Sequence, residues 1–180
     1  MINNLKRHKL TEAILKFSFS MLFFISFTAS AHQYKEIADL IEQRLSYMKY
    51  VARYTFEKHL PVEDFIQENK VILNSINKAE ALSLDKKSIE PFMISQINVA
   101  KAIQYCYKAD WLSMLKNGQL NADLSNIRLK ISKLSDSILQ LITEELKNNG
   151  QIKNQICLYI NKIDQHNLKG SDKKNNLFIT

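Results

Sequence analysis

The sequence predicts an all-α, single-domain helical bundle of about five helices that follow a signal peptide. Apolar residues recur at intervals of three and four along most of the chain, which is the spacing of an amphipathic helix. Glycine and proline number only three and two in 180 residues, and no segment alternates between apolar and polar residues as a half-buried strand does. No repeat or internal linker divides the sequence, so we expect one domain.

The first 31 residues have the layout of a secretory signal peptide. A basic region at 6–9 precedes an apolar run at 17–27, and Ala-Ser-Ala at 29–31 fits a cleavage site of small residues. An N-terminal transmembrane anchor is the alternative, but the apolar run is well short of the ~20 residues that span a bilayer. We therefore expect a signal peptide at 1–31 and a periplasmic or secreted protein that has no membrane contact after cleavage.

The remaining domain, 32–180, is long enough for one core and is mildly basic. The chain carries a net charge of +7, and its first 31 residues hold four basic residues and one acidic residue, which leaves +4 for the domain. The charges are scattered rather than interleaved with aromatic residues, so we expect no nucleic-acid partner. A disulfide between Cys106 and Cys157 is permitted in an oxidising compartment, and a buried free thiol at Cys106 is the alternative. The tail from about residue 167 is expected to fray.

Five helices are predicted from the apolar periodicity: Tyr34–Lys58, Phe65–Leu82, Pro91–Lys116, Ala122–Lys147 and Gln151–Asp164. Pro61 closes the first helix and Asp64 is the predicted N-cap of the second. A turn or short helical piece is expected at 85–90. Gly118 and Gly150 are expected to end the third and fourth helices.

Three polar residues interrupt the apolar rows of these helices. Arg44 lies in the stripe of "DLIEQRLSYMKYVARYTF" (39–56), Gln104 in a row of the third helix, and Arg128 in a row of the fourth. Each arginine alone could lie at the edge of its stripe or pair with a carboxylate of a neighbouring helix. Together the three favour a pocket for an anion, because the planar guanidinium donates two hydrogen bonds to a carboxylate.

Common catalytic motifs are absent from the sequence. The four histidines lack metal-ligand spacing, and the sequence contains no HExxH, CxxC, serine nucleophile elbow or phosphate-binding glycine loop. An enzyme built from this chain would have to work by binding and electrostatics alone.

Two segments carry the pattern of a known family: "QRLSYMKYVARYTFEKHLPVEDFIQENKVIL" and "SIEPFMISQINVAKAIQYCYKADW". They contain Arg-Leu early in the first helix, V-A-x-x-x-[WF] at its end, [LP]-[IV]-E-D, Q-I-x-x-A-K-x-I-Q and a closing A-D-W. Over about residues 35–142 the chain resembles the secreted, periplasmic-type chorismate mutases, the exported all-α branch of that family. The resemblance implies a Claisen rearrangement of chorismate to prephenate that needs no metal, nucleophile or organic cofactor.

The resemblance also implies a site. Arg44 matches a carboxylate-binding arginine of the first helix, and Arg128 matches an arginine that completes the site from a later helix of the same chain. Gln104 matches the Gln or Glu that faces the ether oxygen of the substrate. Glu68 resembles the carboxylate that binds the substrate hydroxyl in the wider class. Such a site would hold the dicarboxylate in its reactive shape and stabilise the charge that develops on the ether oxygen.

Two positions of the expected site depart from the family pattern. Thr55 stands where the family has a lysine, and Gln67 stands where it has an arginine. Loss of one preorganised donor typically costs ~10²–10³ in rate. Two interpretations therefore stay open: a chorismate mutase of weakened activity, or a non-catalytic homologue that binds a small carboxylate or a protein partner. Whether the chain forms a homodimer is also left open. The branch usually adds a further helix with a cysteine partner for the Cys157 position, which this sequence lacks.

Overall fold

The computed structural model describes residues 31–114, 123–152, 156–165 and 168. The helices in these ranges are α1 (31–46), α2 (Met48–Glu57), α3 (Phe65–Ala81), α4 (Lys86–Met114), α5 (Leu124–Asn149) and α6 (Ile156–Ile160). No strand occurs in the described ranges, and the all-α prediction is confirmed. The predicted signal peptide up to residue 30, the helix end at Gly118 and most of the tail lie outside them.

The predicted first helix is present as α1 and α2, which are separated only at Tyr47. The backbone of Tyr47 (φ −70°, ψ −14°) stays in the right-handed helical region, and its carbonyl accepts from the N–H of Val51 at 3.2 Å. The two segments therefore follow one another closely, and their side chains keep nearly the same helical register.

Local sequence signals set several helix ends. Asp64 caps α3 by accepting a hydrogen bond from the N–H of Gln67, as predicted. Gly150 ends α5 in the left-handed region, with φ 71°, also as predicted. His59 (φ 53°) follows α2 and Ser83 (φ 64°) follows α3 in the same conformation, which glycine usually supplies.

Two predicted boundaries are wrong. The third helix begins at Lys86 rather than at Pro91, because Asp85 accepts from the N–H of Ser88 at 3.1 Å and caps it five residues earlier. Pro91 then lies inside the helix and removes one hydrogen bond there. The fifth helix is much shorter than expected, since only Ile156–Ile160 is helical among the described residues of that region.

Helix α4 lies alongside α1 and α2 and runs in the same direction. Arg44 contacts Gln96, and Met48, one turn further along, contacts Gln104 at a later point of α4. Helix α3 is antiparallel to α4. Glu63, just before α3, binds Tyr105 of α4, whereas Glu68 within α3 binds the earlier residue Lys101.

Helix α5 is antiparallel to α1 and parallel to α3. Tyr34, at the start of α1, donates to Glu145 near the end of α5. Arg128, in the first turns of α5, binds Asp64 at the start of α3. The second half of α4 and the starts of α3 and α5 therefore meet at one end of the bundle.

The core lies between these helices. It is mostly aliphatic, and its most deeply buried side chains include Tyr34, Ile37, Ile41, Leu45, Met93, Ile103, Leu139, Ile142, Ile160 and Ile163. Removal of this apolar surface from water is the main term that holds the bundle together. None of the helices described is both long and apolar enough to cross a membrane.

Candidate active site

Arg44 is a buried arginine whose hydrogen-bond partners are neutral. Only 4% of it is exposed. Its Nη1 donates to Oε1 of Gln96 at 2.7 Å, and its Nη2 donates to the backbone carbonyl of Gln96 at 3.3 Å. Within the described residues its Nε donates to no acceptor, and no carboxylate lies at ion-pair distance from the guanidinium. The positive charge of Arg44 is therefore not compensated by the residues that the structure describes.

The electrostatics of Arg44 follow from this burial. Desolvation lowers the pKa of Arg44 from its ordinary value to about 10, because a charged group is disfavoured away from water. The guanidinium still carries its proton at neutral pH. A buried cation without a counter-ion is unfavourable, and an anion bound beside it would relieve that cost.

Gln104 and Thr55 lie further along the same interface between helices. Gln104 is buried, and its Nε2 lies 3.7 Å from the sulfur of Met48, which is a weak acceptor. Thr55 is also buried and stands three helical turns beyond Arg44, hence on the same face. The Thr55 hydroxyl donates to the carbonyl of Ala52 at 3.0 Å. Its hydrogen is used within its own helix, so Thr55 presents an acceptor rather than a donor.

Glu68 and Gln67 lie in the first turns of α3. The Oε2 of Glu68 accepts from Nζ of Lys101 at 3.0 Å, and its Oε1 accepts from the backbone N–H of Asp64 at 3.2 Å. The Glu68 carboxylate therefore both stabilises the start of α3 and pairs with α4. Gln67 is half-buried, and its backbone N–H is the donor to Asp64.

Arg128 lies at the edge of the bundle rather than in its interior. Its Nη2 is 2.8 Å from Oδ2 of Asp64, and 37% of its side chain is exposed. The structure thus places Arg44 of α1 and Gln104 of α4 at the buried interface of α1 and α2 with α4, and it places Arg128 beside α3. To bind a substrate carboxylate, Arg128 would have to exchange or share its bond to Asp64.

Three polar residues of this region were missed by the sequence reasoning. Gln96 lies two turns before Gln104 in the same row and is 1% exposed, so the criterion that selected Gln104 would also have found it. Lys101 pairs with Glu68 between α4 and α3. Arg53 is buried, and its Nε is 2.6 Å from Oε1 of Glu57.

Arg53 shows what a compensated arginine looks like in this fold. Its guanidinium carbon lies 5.3 Å from the centre of the Trp111 ring, in a cation–π arrangement, while Glu57 supplies the opposite charge. The carboxylate four residues later in the sequence is the signal that would have identified this pair. Arg44 has neither kind of partner among the described residues.

Cys106 and Cys157 are free thiols, and Cys106 is half-buried rather than buried as the free-thiol alternative expected. Within the described residues, His, Cys, Asp and Glu form no group of three or more that could hold a metal ion. The polar groups along the interface of α1 and α2 with α4 are amides, a hydroxyl and a thioether, which suit hydrogen bonding to an organic anion better than metal coordination.

Comparisons with known proteins identify the family of the chain. Residues 35–105 match the family described as chorismate mutase type II. The chain is 46% identical to the secreted chorismate mutase of Yersinia pestis over 168 residues, which cover 92% of this chain and 90% of that protein. It is 32% identical to the monofunctional chorismate mutase of Enterobacter agglomerans over 144 residues, or 80% and 79% of the two chains.

The solved structures agree as well. The crystal structure of the Yersinia pestis secreted chorismate mutase has a TM-score of 0.70 and 48% identity, and the match covers 77% of this chain and 90% of that one. The chorismate mutase of Burkholderia thailandensis has a TM-score of 0.69 over 81% and 96% of the chains, and at 18% identity it supports the fold alone. The sequence identity, the matched domain and the helical bundle lead to one conclusion: the chain belongs to the type II chorismate mutase family.

Proposed function

We propose that the protein is an exported chorismate mutase that rearranges chorismate to prephenate. The observation that carries the proposal is the burial of Arg44 without a counter-ion among the described residues. An enzyme that binds a dicarboxylate needs such a cation, ready to meet a substrate carboxylate. Both curated relatives are named chorismate mutases, which favours catalysis over the non-catalytic alternative.

The reaction is an intramolecular rearrangement, in which a carbon–oxygen bond of the ether breaks while a carbon–carbon bond forms. In the proposed site, Arg44 binds one carboxylate in the interior, and Arg128 binds the second from α5. Fixing both carboxylates holds the substrate in the compact conformation that reacts, so the entropy of orientation is lost on binding rather than at the transition state. The family resemblance supports these roles.

Negative charge develops on the ether oxygen as the carbon–oxygen bond breaks. Gln104 is suited to stabilise it, because its Nε2 donates to the Met48 sulfur, a weak acceptor, and can turn to a stronger acceptor at small cost. The Thr55 hydroxyl would first have to leave the carbonyl of Ala52 to donate to the same oxygen. Thr55 therefore replaces only in part the lysine that the family has at this position, and we expect a slower chemical step.

Gln67 and Glu68 would act from the start of α3. Gln67 can offer an amide donor where the family has a charged arginine, so it would bind substrate more weakly. Glu68 could accept a hydrogen bond from the substrate hydroxyl through a lone pair that Lys101 and the N–H of Asp64 leave open.

We also infer that residues 1–31 are a signal peptide and that the protein acts in the periplasm or outside the cell. The basic, apolar and small-residue order of the N-terminus supports this. The relative from Yersinia pestis is named a secreted enzyme. The expected absence of a nucleic-acid partner and of a cofactor stays a prediction.

The direct test is chorismate consumption by the protein expressed as its full chain and purified after export. We expect prephenate to form without added metal or cofactor, and we expect exchange of Arg44 for methionine to abolish turnover. The proposed enzymatic activity would be refuted if the folded wild-type protein consumed no chorismate above the uncatalysed background. Prephenate binding without turnover would instead support the non-catalytic homologue.

A further inference from the structure

Gln96 and Arg44 each have one buried donor nitrogen that makes no hydrogen bond to the described residues. The Nε of Arg44 and the Nε2 of Gln96 are both buried, and neither finds an acceptor among the described residues. The two groups are joined by the hydrogen bond from Nη1 of Arg44 to Oε1 of Gln96. An unpaired buried donor is costly, so two at one place favour a site that is completed by an acceptor other than the described residues.

Chemistry dictates the orientation of the Gln96 amide. Arginine has N–H donors and no acceptor, so the amide must turn its oxygen toward Arg44. The amide nitrogen then points away from Arg44 and has two N–H groups to offer. Arg44 in turn uses two of its five N–H donors on Gln96, and its Nε–H stays available.

Resting on the proposed function, we propose that Gln96 positions Arg44 and that its amide, together with the Nε of Arg44, binds one carboxylate of the substrate. A carboxylate has two oxygens and about four lone pairs, so a single group can accept from both donors. The amide holds the guanidinium at two points without neutralising it. A glutamate at this position would also hold Arg44, but it would compensate the charge and repel the substrate.

That difference gives a discriminating variant, Gln96→Glu, which has nearly the same shape. A merely structural Gln96 would tolerate the change, because the new carboxylate makes a stronger bond to Arg44. Under the proposal, the variant keeps or gains thermal stability. It also loses affinity for prephenate by about 10- to 100-fold, measured by calorimetry, because the donor is lost and a like charge is added. The KM for chorismate rises by a similar factor.

Two further variants complete the experiment. Gln140→Glu makes the same chemical change at an exposed position of α5 and should leave affinity and stability unchanged. Gln96→Met removes the amide without adding charge, and weaker prephenate binding by this variant would also support the proposal. Prephenate binding by Gln96→Glu within threefold of the wild type would overturn it.

Failure of the proposed function would look different. Prephenate binding by a wild-type protein that has no turnover, with that binding lost in Gln96→Glu, would refute catalysis and still support the carboxylate site. No prephenate binding by the folded wild type would overturn the carboxylate site. Clear turnover with unchanged constants for Gln96→Glu would retain the enzyme and reject the role of Gln96.

Discussion

Because the charge of Arg44 is uncompensated among the described residues, we expect the site to lower the free energy of unfolding. The perturbation is the double exchange Arg44→Met with Gln96→Met, which removes the cation and its amide partner together. A single exchange of Arg44 would leave the Gln96 oxygen unpaired and mask the effect. The side chains are similar in length and apolar, so the bundle can stay packed.

The magnitude follows from the pKa of Arg44. The decrease of this pKa on folding, from its ordinary value to about 10, corresponds to about 3 kcal/mol, at about 1.4 kcal/mol per pKa unit. The hydrogen bonds to Gln96 return part of this, so we expect the double variant to gain about 1–3 kcal/mol in the free energy of unfolding. The protonated form is the one disfavoured by folding, so the penalty is fully present below about pH 10 and declines as the pH rises from there. The gain should therefore be constant between about pH 6 and pH 9.

The assay is urea unfolding of the exported protein, followed by circular dichroism at several pH values, with chorismate turnover measured in parallel. Turnover should fall by at least about 30-fold, since removal of a buried charged partner typically costs 2–5 kcal/mol of binding. Arg128→Met is the matched control for the unfolding measurement, because the exposed ion pair of Arg128 with Asp64 should contribute less than about 1 kcal/mol to stability. A double variant that is clearly less stable than the wild type, or one that keeps full turnover, would refute the reasoning.

Three further outcomes are expected. Thr55→Lys combined with Gln67→Arg should raise kcat/KM by ~10²–10³ in steady-state kinetics, because one added cation faces the ether oxygen and the other binds the substrate. No gain in kcat/KM would show that the missing charges are not limiting. Arg128→Met should lower kcat/KM by about tenfold or more while unfolding changes little, and unchanged kinetics would remove Arg128 from the site. Gly150→Ala should destabilise the fold by about 1 kcal/mol or more, since its φ of 71° strains a side chain, and a thermal midpoint equal to that of the wild type would contradict this.

The helices were predictable because their signals are local. An apolar period of 3.6 residues, the cap at Asp64 and the left-handed Gly150 each act within a few residues of the chain. The early start of α4 differs from the prediction although its signal is local too, because Asp85 caps the helix before Pro91 and the helix continues through the proline. The length of α6 had no such signal.

The site was predictable only in part. A polar residue in an apolar row is visible in sequence, and Arg44 and Gln104 are buried as that pattern suggests. Which partner each one meets is not visible, because the partners lie on other helices. Arg128 has the same pattern as Arg44, yet it is only partly buried and is paired with Asp64.

The sequence by itself determined the class of fold, the family, the candidate residues and the two departures at Thr55 and Gln67, since all of these depend on residue types and their spacing. Only the tertiary structure decided that Arg44 is held by the neutral Gln96 rather than by a carboxylate. The physical reason is that charge compensation depends on which side chains meet across the packed helices. In this fold the contact between α1 and α4 leaves a buried cation and two donors for an anion to complete.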